Sequence, residues 1–270
     1  MITMIGIDLG ISSFKAVQLE KGKIKKKKRV FLNEEGTEKQ IKKFFSDSFF
    51  SRKKEIALTG ANAEKAKKLF GKKFEFVLVN EIQAIAKGSG FLSKEKNFLA
   101  GSIGTGTCFV SVKKNKASHI GGTALGGKTI LGLSELITKE KDFKKIEESA
   151  LKGKAEKTDL MLFDVYSKGI GLLKKNVPVA HFGRIKSNKK TDLNAGIINM
   201  ICQGISLNAL FAAKALKQKK IVFSGSLAES RLFKKVFKDC RQVFDLAEGI
   251  FVNNAGFASA IGAGLIAGKK

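Results

Sequence analysis

The segment spanning residues 99–133 constrains the fold more than any other, because it carries two glycine-rich turns close together. The first, Gly104-Thr105-Gly106-Thr107, follows the apolar Phe98-Leu99-Ala100 and precedes Cys108-Phe109-Val110-Ser111-Val112. That order predicts strand, tight turn, strand. A tip built of Gly and Thr presents backbone N–H groups and hydroxyls with no bulky side chain in the way, which suits a phosphate. The second turn, residues 121–129, leads into the apolar run 130–137. This run predicts a helix, whose N-terminus adds unpaired N–H groups and the positive end of a dipole. Either turn alone reads equally well as an ordinary loop.

A third element shifts the balance. Met-Ile-Thr-Met-Ile-Gly-Ile-Asp opens the chain as a strand, turns at Leu9-Gly10-Ile11-Ser12-Ser13, and continues as Phe14-Lys15-Ala16-Val17-Gln18-Leu19. This predicts a second hairpin with a carboxylate just before the turn. Gly10 and Ser12 offer donors, Asp8 offers an acceptor for a hydrated magnesium ion, and Lys15 points a cation back at the turn. An Asp at a turn also has a plain capping role.

Between and beyond these turns the periodicity predicts an α/β chain. Residues 37–50 read as a helix with Ile41, Phe44, Phe45 and Phe49 on one face, 55–59 as a strand, 63–70 as a helix and 74–79 as a strand. A helix then starts at once, with Asn80 as N-cap and Glu81 in its first turn. The dipole favours an acid there, and a carboxylate at a strand-to-helix junction is also well placed to act as a general base. Residues 142–157 read as polar helix or loop, 177–184 as a loop holding the single proline, and 190–216 as a long helix with a wide apolar surface. A buried strand enters the Gly225-Ser226 turn, residues 230–237 read as a helix, and 253–264 as a closing helix of small residues.

The net charge of +27, from 51 basic and 24 acidic residues, raises the question of nucleic acid. The excess is mostly lysine spread along the chain, with no recognised binding module, so no nucleic-acid partner is expected. The run Lys23-Ile24-Lys25-Lys26-Lys27-Lys28-Arg29 reads as an exposed strand edge or loop. Cys108, Cys202 and Cys240 lie far apart, without metal-ligand spacing, and a reducing cytoplasm is the simplest compartment. No apolar run is expected to reach membrane-spanning length, and no signal peptide or membrane partner is expected.

Taken together, the N-terminal hairpin, the Gly/Thr hairpin and the late Gly-Ser turn resemble the actin/hexokinase/Hsp70 nucleotide-binding superfamily. Gly6-Ile7-Asp8-Leu9-Gly10 with Lys15, Asn80-Glu81-Ile82-Gln83-Ala84 with Lys87-Gly88, residues 103–107 and residues 122–133 resemble type II pantothenate kinases more closely. Asp164-Val165-Tyr166, Val179-Ala180-His181-Phe182-Gly183, Lys190-Thr191-Asp192-Leu193 and the closing Asn254-Ala255-Gly256-Phe257 run agree in order, so the resemblance is nearly end to end.

The resemblance implies a two-lobed actin-like ATPase (ribonuclease H-like) fold with ATP in the interlobe cleft. Residues 1–97 would form one lobe and 98–270 the other, with the closing helix 256–270 packed back towards the first. It implies transfer of the ATP γ-phosphate to the 4′-hydroxyl of pantothenate, the first step of coenzyme A synthesis. Glu81 would be the base, and Asp8 the magnesium-side acid. Asp8, Gly10, Ser12 and Lys15, with Gly104, Thr105, Gly106 and Thr107, would cradle the phosphates. Gly122, Gly126 and Gly127 would line the substrate or phosphate pocket, and Gly225 and Ser226 the adenosine side. Pantothenate would meet Glu81, Thr105 and His119, the last standing where the family carries an Arg for the pantothenate carboxylate. An imidazole lacks the bidentate fork of a guanidinium, so a different small hydroxyl substrate, or a regulatory role, is the alternative. The resemblance also implies a homodimer. Iron–sulphur ATPase activators share the fold, but they need clustered cysteines at a dimer interface.

Overall fold

Two largely apolar strands near the N-terminus, β1 (Thr3–Leu9) and β2 (Ser13–Glu20), pair with a basic third, β3 (Lys23–Phe31), as an antiparallel meander. The computed structural model describes residues 3–268 apart from 34, 48, 51–54, 115, 167–170, 172–176 and 245. The expected strand residues Met1 and Ile2, Ser48 of the expected first helix, and residues 269 and 270 of the expected closing helix lie outside the described residues. The lysine run is the exposed edge strand β3. Helix α1 (Thr37–Phe45), β4 (Ile56–Thr59), α2 (Ala63–Phe70), β5 (Phe76–Leu78) and α3 (Glu81–Ser93) complete the first unit. Its sheet order is β3-β2-β1-β4-β5, with β4 and β5 parallel to β1.

The second unit repeats the plan. β6 (Phe98–Ile103), β7 (Thr107–Lys113) and β8 (Lys116–Thr123) form another antiparallel meander. Then come α4 (Gly127–Thr138), α5 (Phe143–Ala150), β9 (Leu160–Met161), α6 (Leu162–Val165), β10 (Pro178–Ala180) and α7 (Lys190–Ala215). β11 (Lys220–Ser224), α8 (Arg231–Phe244), β12 (Glu248–Phe251) and α9 (Ala258–Ala267) close the chain. The sheet reads β12-β11-β6-β7-β8, the same order as the first when written from its own third strand. This is the two-lobed actin-like fold.

Four apolar clusters define the layers. Ile5, Ile7, Leu9 and Phe14 meet α1 and α2 on the outer face of the first sheet, among Phe44, Phe45 and Phe74. Its inner face packs on α9 through Met4, Val17, Ala260 and Ala263. The inner face of the second sheet packs on α3 through Ile85, Ala86, Phe98, Ala100 and Val110. Its outer face is covered by α4, α5, α7 and α8. Each unit's last helix therefore lies against the other unit's sheet. The two helices meet backbone to backbone: a Cβ on Gly88 would come 1.8 Å from the Ala258 carbonyl oxygen, and one on Gly262 1.9 Å from that of Ala84.

Three expectations need correction. The helix expected to run to residue 50 stops at Phe45. The Asp47 carboxylate accepts the Phe49 N–H at 2.8 Å, and this local turn competes with further helix. The closing helix expected from residue 253 begins only at Ala258, because Asn254 sits in the left-handed region at φ 61° and a 3₁₀ turn, Ala255–Phe257, follows. Helix α7 is long and apolar enough to cross a membrane, contrary to the expectation for apolar runs. Its Ile197, Ile201, Ile205 and Ala209 stripe is buried in the core.

Candidate active site

The two hairpin tips face each other across the gap between the sheets. Ser12, in the β1–β2 turn, and Thr105, in the β6–β7 tip, join through their hydroxyl oxygens at 2.8 Å. The first turn is held from behind by Asn62, whose N–H donates to the Leu9 carbonyl at 2.9 Å. Asn62 Nδ2 donates to the carbonyl of Gly10 at 3.1 Å. In the second tip the Gly104 N–H donates to Gly106 O at 2.9 Å, and the Thr107 hydroxyl donates to Leu125 O at 2.8 Å. The Gly127 N–H donates to Gly104 O at 2.9 Å, so the start of α4 is docked on the tip. Gly104, Thr105, Gly106, Thr107, Gly126 and Gly127 thus form one backbone-lined corner, with Gly122 on β8 opposite Cys108.

Asp8 ends the polar side of β1, on the inner face. Lys15 is its cross-strand partner, and Nζ lies 3.5 Å from Oδ2 with both side chains largely buried. Burial raises the Asp8 carboxyl above its ordinary value, and the Lys15 cation only partly opposes this. Gly60, at φ 91°, leaves the space beside the carboxylate: a Cβ there would lie 2.6 Å from Oδ1. The neighbouring Thr59 hydroxyl on β4 is buried and makes no hydrogen bond among the described residues. Asp8, the Thr59 hydroxyl and this space fit a hydrated magnesium ion held mainly by phosphate oxygens. Among the described residues no cluster of three His, Cys, Asp or Glu side chains would hold a metal without such help.

Glu81 is the first residue of α3. Asn80 caps the helix, its Oδ1 accepting the N–H groups of Ile82 at 3.0 Å and Gln83 at 3.3 Å, which fixes where Glu81 leaves the backbone. The Glu81 side chain is exposed at the cleft; partial loss of water around its carboxyl raises the pKa, the negative charge of Asp8 raises it further, and the Lys15 cation opposes both. The Glu81 charge also reaches Cys108 on β7 and raises that thiol, after the larger effect of burial. Glu81 therefore stands between the acidic end of the first sheet and the inner face of the second. A groove of about 260 Å³ runs beside it, lined by Leu58, Gly60, Ala61, Val79 and Asn80 among others.

Two groups of expected site residues lie further out. Gly225, at φ 87°, follows β11, and its N–H donates to Ala255 O at 2.9 Å. Its turn packs on the end of β6, since a Cβ there would come 2.3 Å from Ile103 O, and this sets Gly225 and Ser226 at the rim of the second tip. His119 pairs with Val110 in register, on the face of the second sheet that α3 covers, and is exposed. Among the described residues, no hydrogen bond joins it to the other expected residues. Sequence reasoning missed Thr59, Gly60, Asn62 and Cys108. An Asn-Ala pair after Thr-Gly carried a helix-start signal, but nothing in the sequence said that this start abuts the first turn.

Comparisons with known proteins bear on the family and the fold. The Fumble family matches residues 97–265. A type II pantothenate kinase of Oceanobacillus iheyensis is 30% identical over 273 residues, covering 96% of this chain and 97% of the relative. Among solved structures, component A of the (R)-2-hydroxyglutaryl-CoA dehydratase of Acidaminococcus fermentans superposes with a TM-score of 0.66 at 15% identity, covering 98% of this chain and 97% of the other. A ROK family glucokinase of Streptomyces griseus, solved with glucose and AMPPNP, gives 0.64 at 12% identity and covers 99% of this chain and 100% of its own. These two share the fold. The sequence matches place the chain in the type II pantothenate kinase family.

Proposed function

We propose that this protein phosphorylates pantothenate with ATP, as the first step of coenzyme A synthesis, and that Glu81 is its general base. The observation that carries the assignment of Glu81 is its position: a carboxylate at the capped start of α3, within reach of the Asp8 charge and lining the groove beside Gly60. Backbone N–H groups of the two tips bind the β- and γ-phosphates, and Lys15 balances charge beside Asp8. When bound at Asp8, magnesium neutralises charge on the transferring phosphoryl group. Glu81 accepts the hydroxyl proton as the acceptor oxygen attacks. Gly122, Gly126 and Gly127 border the phosphate corner, Gly225 and Ser226 border the adenosine side, and Thr105 and His119 border the acceptor.

The test is ATP turnover with Mg²⁺, with and without pantothenate, in wild type and Glu81→Ala. Pantothenate-dependent turnover is expected, with kcat lowered about 10²- to 10⁴-fold in the variant and affinity for a non-hydrolysable ATP analogue kept. Because the Glu81 pKa is raised and the ionised form is the base, kcat/KM falls on the acid side at a pH above the ordinary glutamate value of 4.5. ATP binding without pantothenate-dependent turnover overturns the acceptor assignment. One observation favours a second reading, a different hydroxyl substrate or a regulatory role: His119 is exposed and offers no bidentate fork. Turnover with pantothenate analogues in wild type and His119→Arg separates the two. The reading also includes a cytoplasmic homodimer. Exposed apolar side chains such as Leu136 and Ile137 on α4 are consistent with subunit contact, and light scattering on purified protein checks it.

A further inference from the structure

Three charged residues stand in one row across the first sheet. Asp8 pairs with Lys15, and Lys15 pairs with Arg29, so all three share the inner face. Arg29 lies on the edge strand, and its guanidinium leaves the sheet for the second unit. It grips Glu229 with both forks, Nη1 to Oε2 at 2.9 Å and Nη2 to Oε1 at 3.1 Å. The guanidinium also lies 4.8 Å from the centre of the Phe257 ring.

Glu229 ends the 3₁₀ turn Leu227–Glu229, which follows directly on Gly225 and Ser226. Its Oε1 also accepts the Gly256 N–H at 3.0 Å, and Gly225 is bonded to Ala255 in the same loop. Lys27, two residues before Arg29, donates to Asn254 Oδ1 at 2.6 Å. Burial raises the Glu229 carboxyl, but the Arg29 hydrogen bonds and charge outweigh it and hold the group ionised below its ordinary value. The Gly225–Ser226 turn and the 254–257 loop are thus tied to the edge of the sheet that carries Asp8.

We infer that Arg29 and Glu229 are positioning residues that fix the adenosine-side turn against the phosphate-binding sheet and so set the width of the nucleotide cleft. This rests on the nucleotide-binding reading above. Neither residue is assigned a contact with the transferring phosphate, so their effect falls on nucleotide affinity rather than on the chemical step. A bidentate, partly desolvated pair holds the two walls in one register, whereas a lone point charge would not.

The experiment measures binding of a fluorescent ATP analogue and steady-state kinetics in wild type, Arg29→Ala, Glu229→Gln and the charge-swapped double variant Arg29→Glu/Glu229→Arg. Both single variants are expected to raise the analogue Kd and the KM for ATP, about tenfold for Arg29→Ala. Saturating kcat and the KM for pantothenate stay within about twofold. The double variant is expected to recover part of the lost affinity, because it restores the ion pair but leaves the Gly256 N–H without its acceptor. Glu229→Gln keeps the side-chain shape and guards against a folding defect in Arg29→Ala. Unchanged nucleotide affinity in both single variants, or a loss in kcat that the double variant fails to recover, overturns the inference. A wild type that does not bind the analogue overturns the nucleotide reading and the inference with it.

Discussion

The two sheets share one strand order, but the cross-strand pair next to each hairpin tip is charged in one and uncharged in the other. In the first, the pair one step back from the hairpin tip is Asp8 with Lys15. In the second, the corresponding pair is Ser102 with Cys108, and it carries no formal charge. The tips differ in the same sense. The first turn has an acid behind it, whereas the second offers only Gly, Thr and backbone N–H groups. Two copies of one architecture thus hold unlike halves of the proposed site. One side suits a cation and the other an anion, and an ATP–magnesium complex needs both. The exchange of last helices adds a second consequence. Glu81 follows the first sheet in sequence, but its helix packs on the second, so the proposed base stands at the boundary between the halves.

The sharpest way to break this comparison is to remove the asymmetry. Asp8→Asn is expected to lower kcat/KM on the order of 10²-fold, with the magnesium requirement shifted to higher concentration. Ser102→Ala at the matching position stays within about threefold. Steady-state assays across a magnesium series check both. Next in size is the exchanged-helix contact. Gly88→Ala drives a methyl into the Ala258 carbonyl and is expected to cost about 3 kcal/mol, read as a fall in the urea midpoint. The smallest effect concerns pH. The folded state raises the Asp8 pKa, so its protonated form is favoured by folding. That contribution is full below the unfolded aspartate value and is lost as pH rises through the folded one. The melting temperature of Asp8→Asn minus that of wild type, measured without magnesium, is therefore expected to grow from acid to neutral pH.

Local signals carried much of the fold. Asn80 before an apolar helix named a cap, and its Oδ1 accepts the N–H groups of Ile82 and Gln83. Gly and Thr between two apolar runs named the second hairpin, and its strands pair in register from Phe98 with Val112 to Ile103 with Thr107. The short strand β12 was missed, because Glu248-Gly249-Ile250-Phe251 is too brief and mixed to show a period. Thr59 and Gly60 were passed over as an ordinary strand end. Their proximity to Asp8 comes from parallel pairing of β4 with β1, across more than forty intervening residues. Arg29 was absorbed into a lysine run, since its partner lies two hundred positions away.

Alternation, capping residues and glycine turns act over a few positions, so the chain's own order of residues settled where strands, turns and helix starts fall. It also placed Asp8, Glu81 and the Gly/Thr tip at the ends of elements. Periodicity marks an apolar face without naming what covers it. Burial of these faces in the folded molecule chose the partners: α9 on the first sheet, α3 on the second, Ser12 against Thr105 and Arg29 against Glu229. Those pairings depend on shape and charge matched across long stretches of chain, and they exist only once the two sheets have closed on the helices between them.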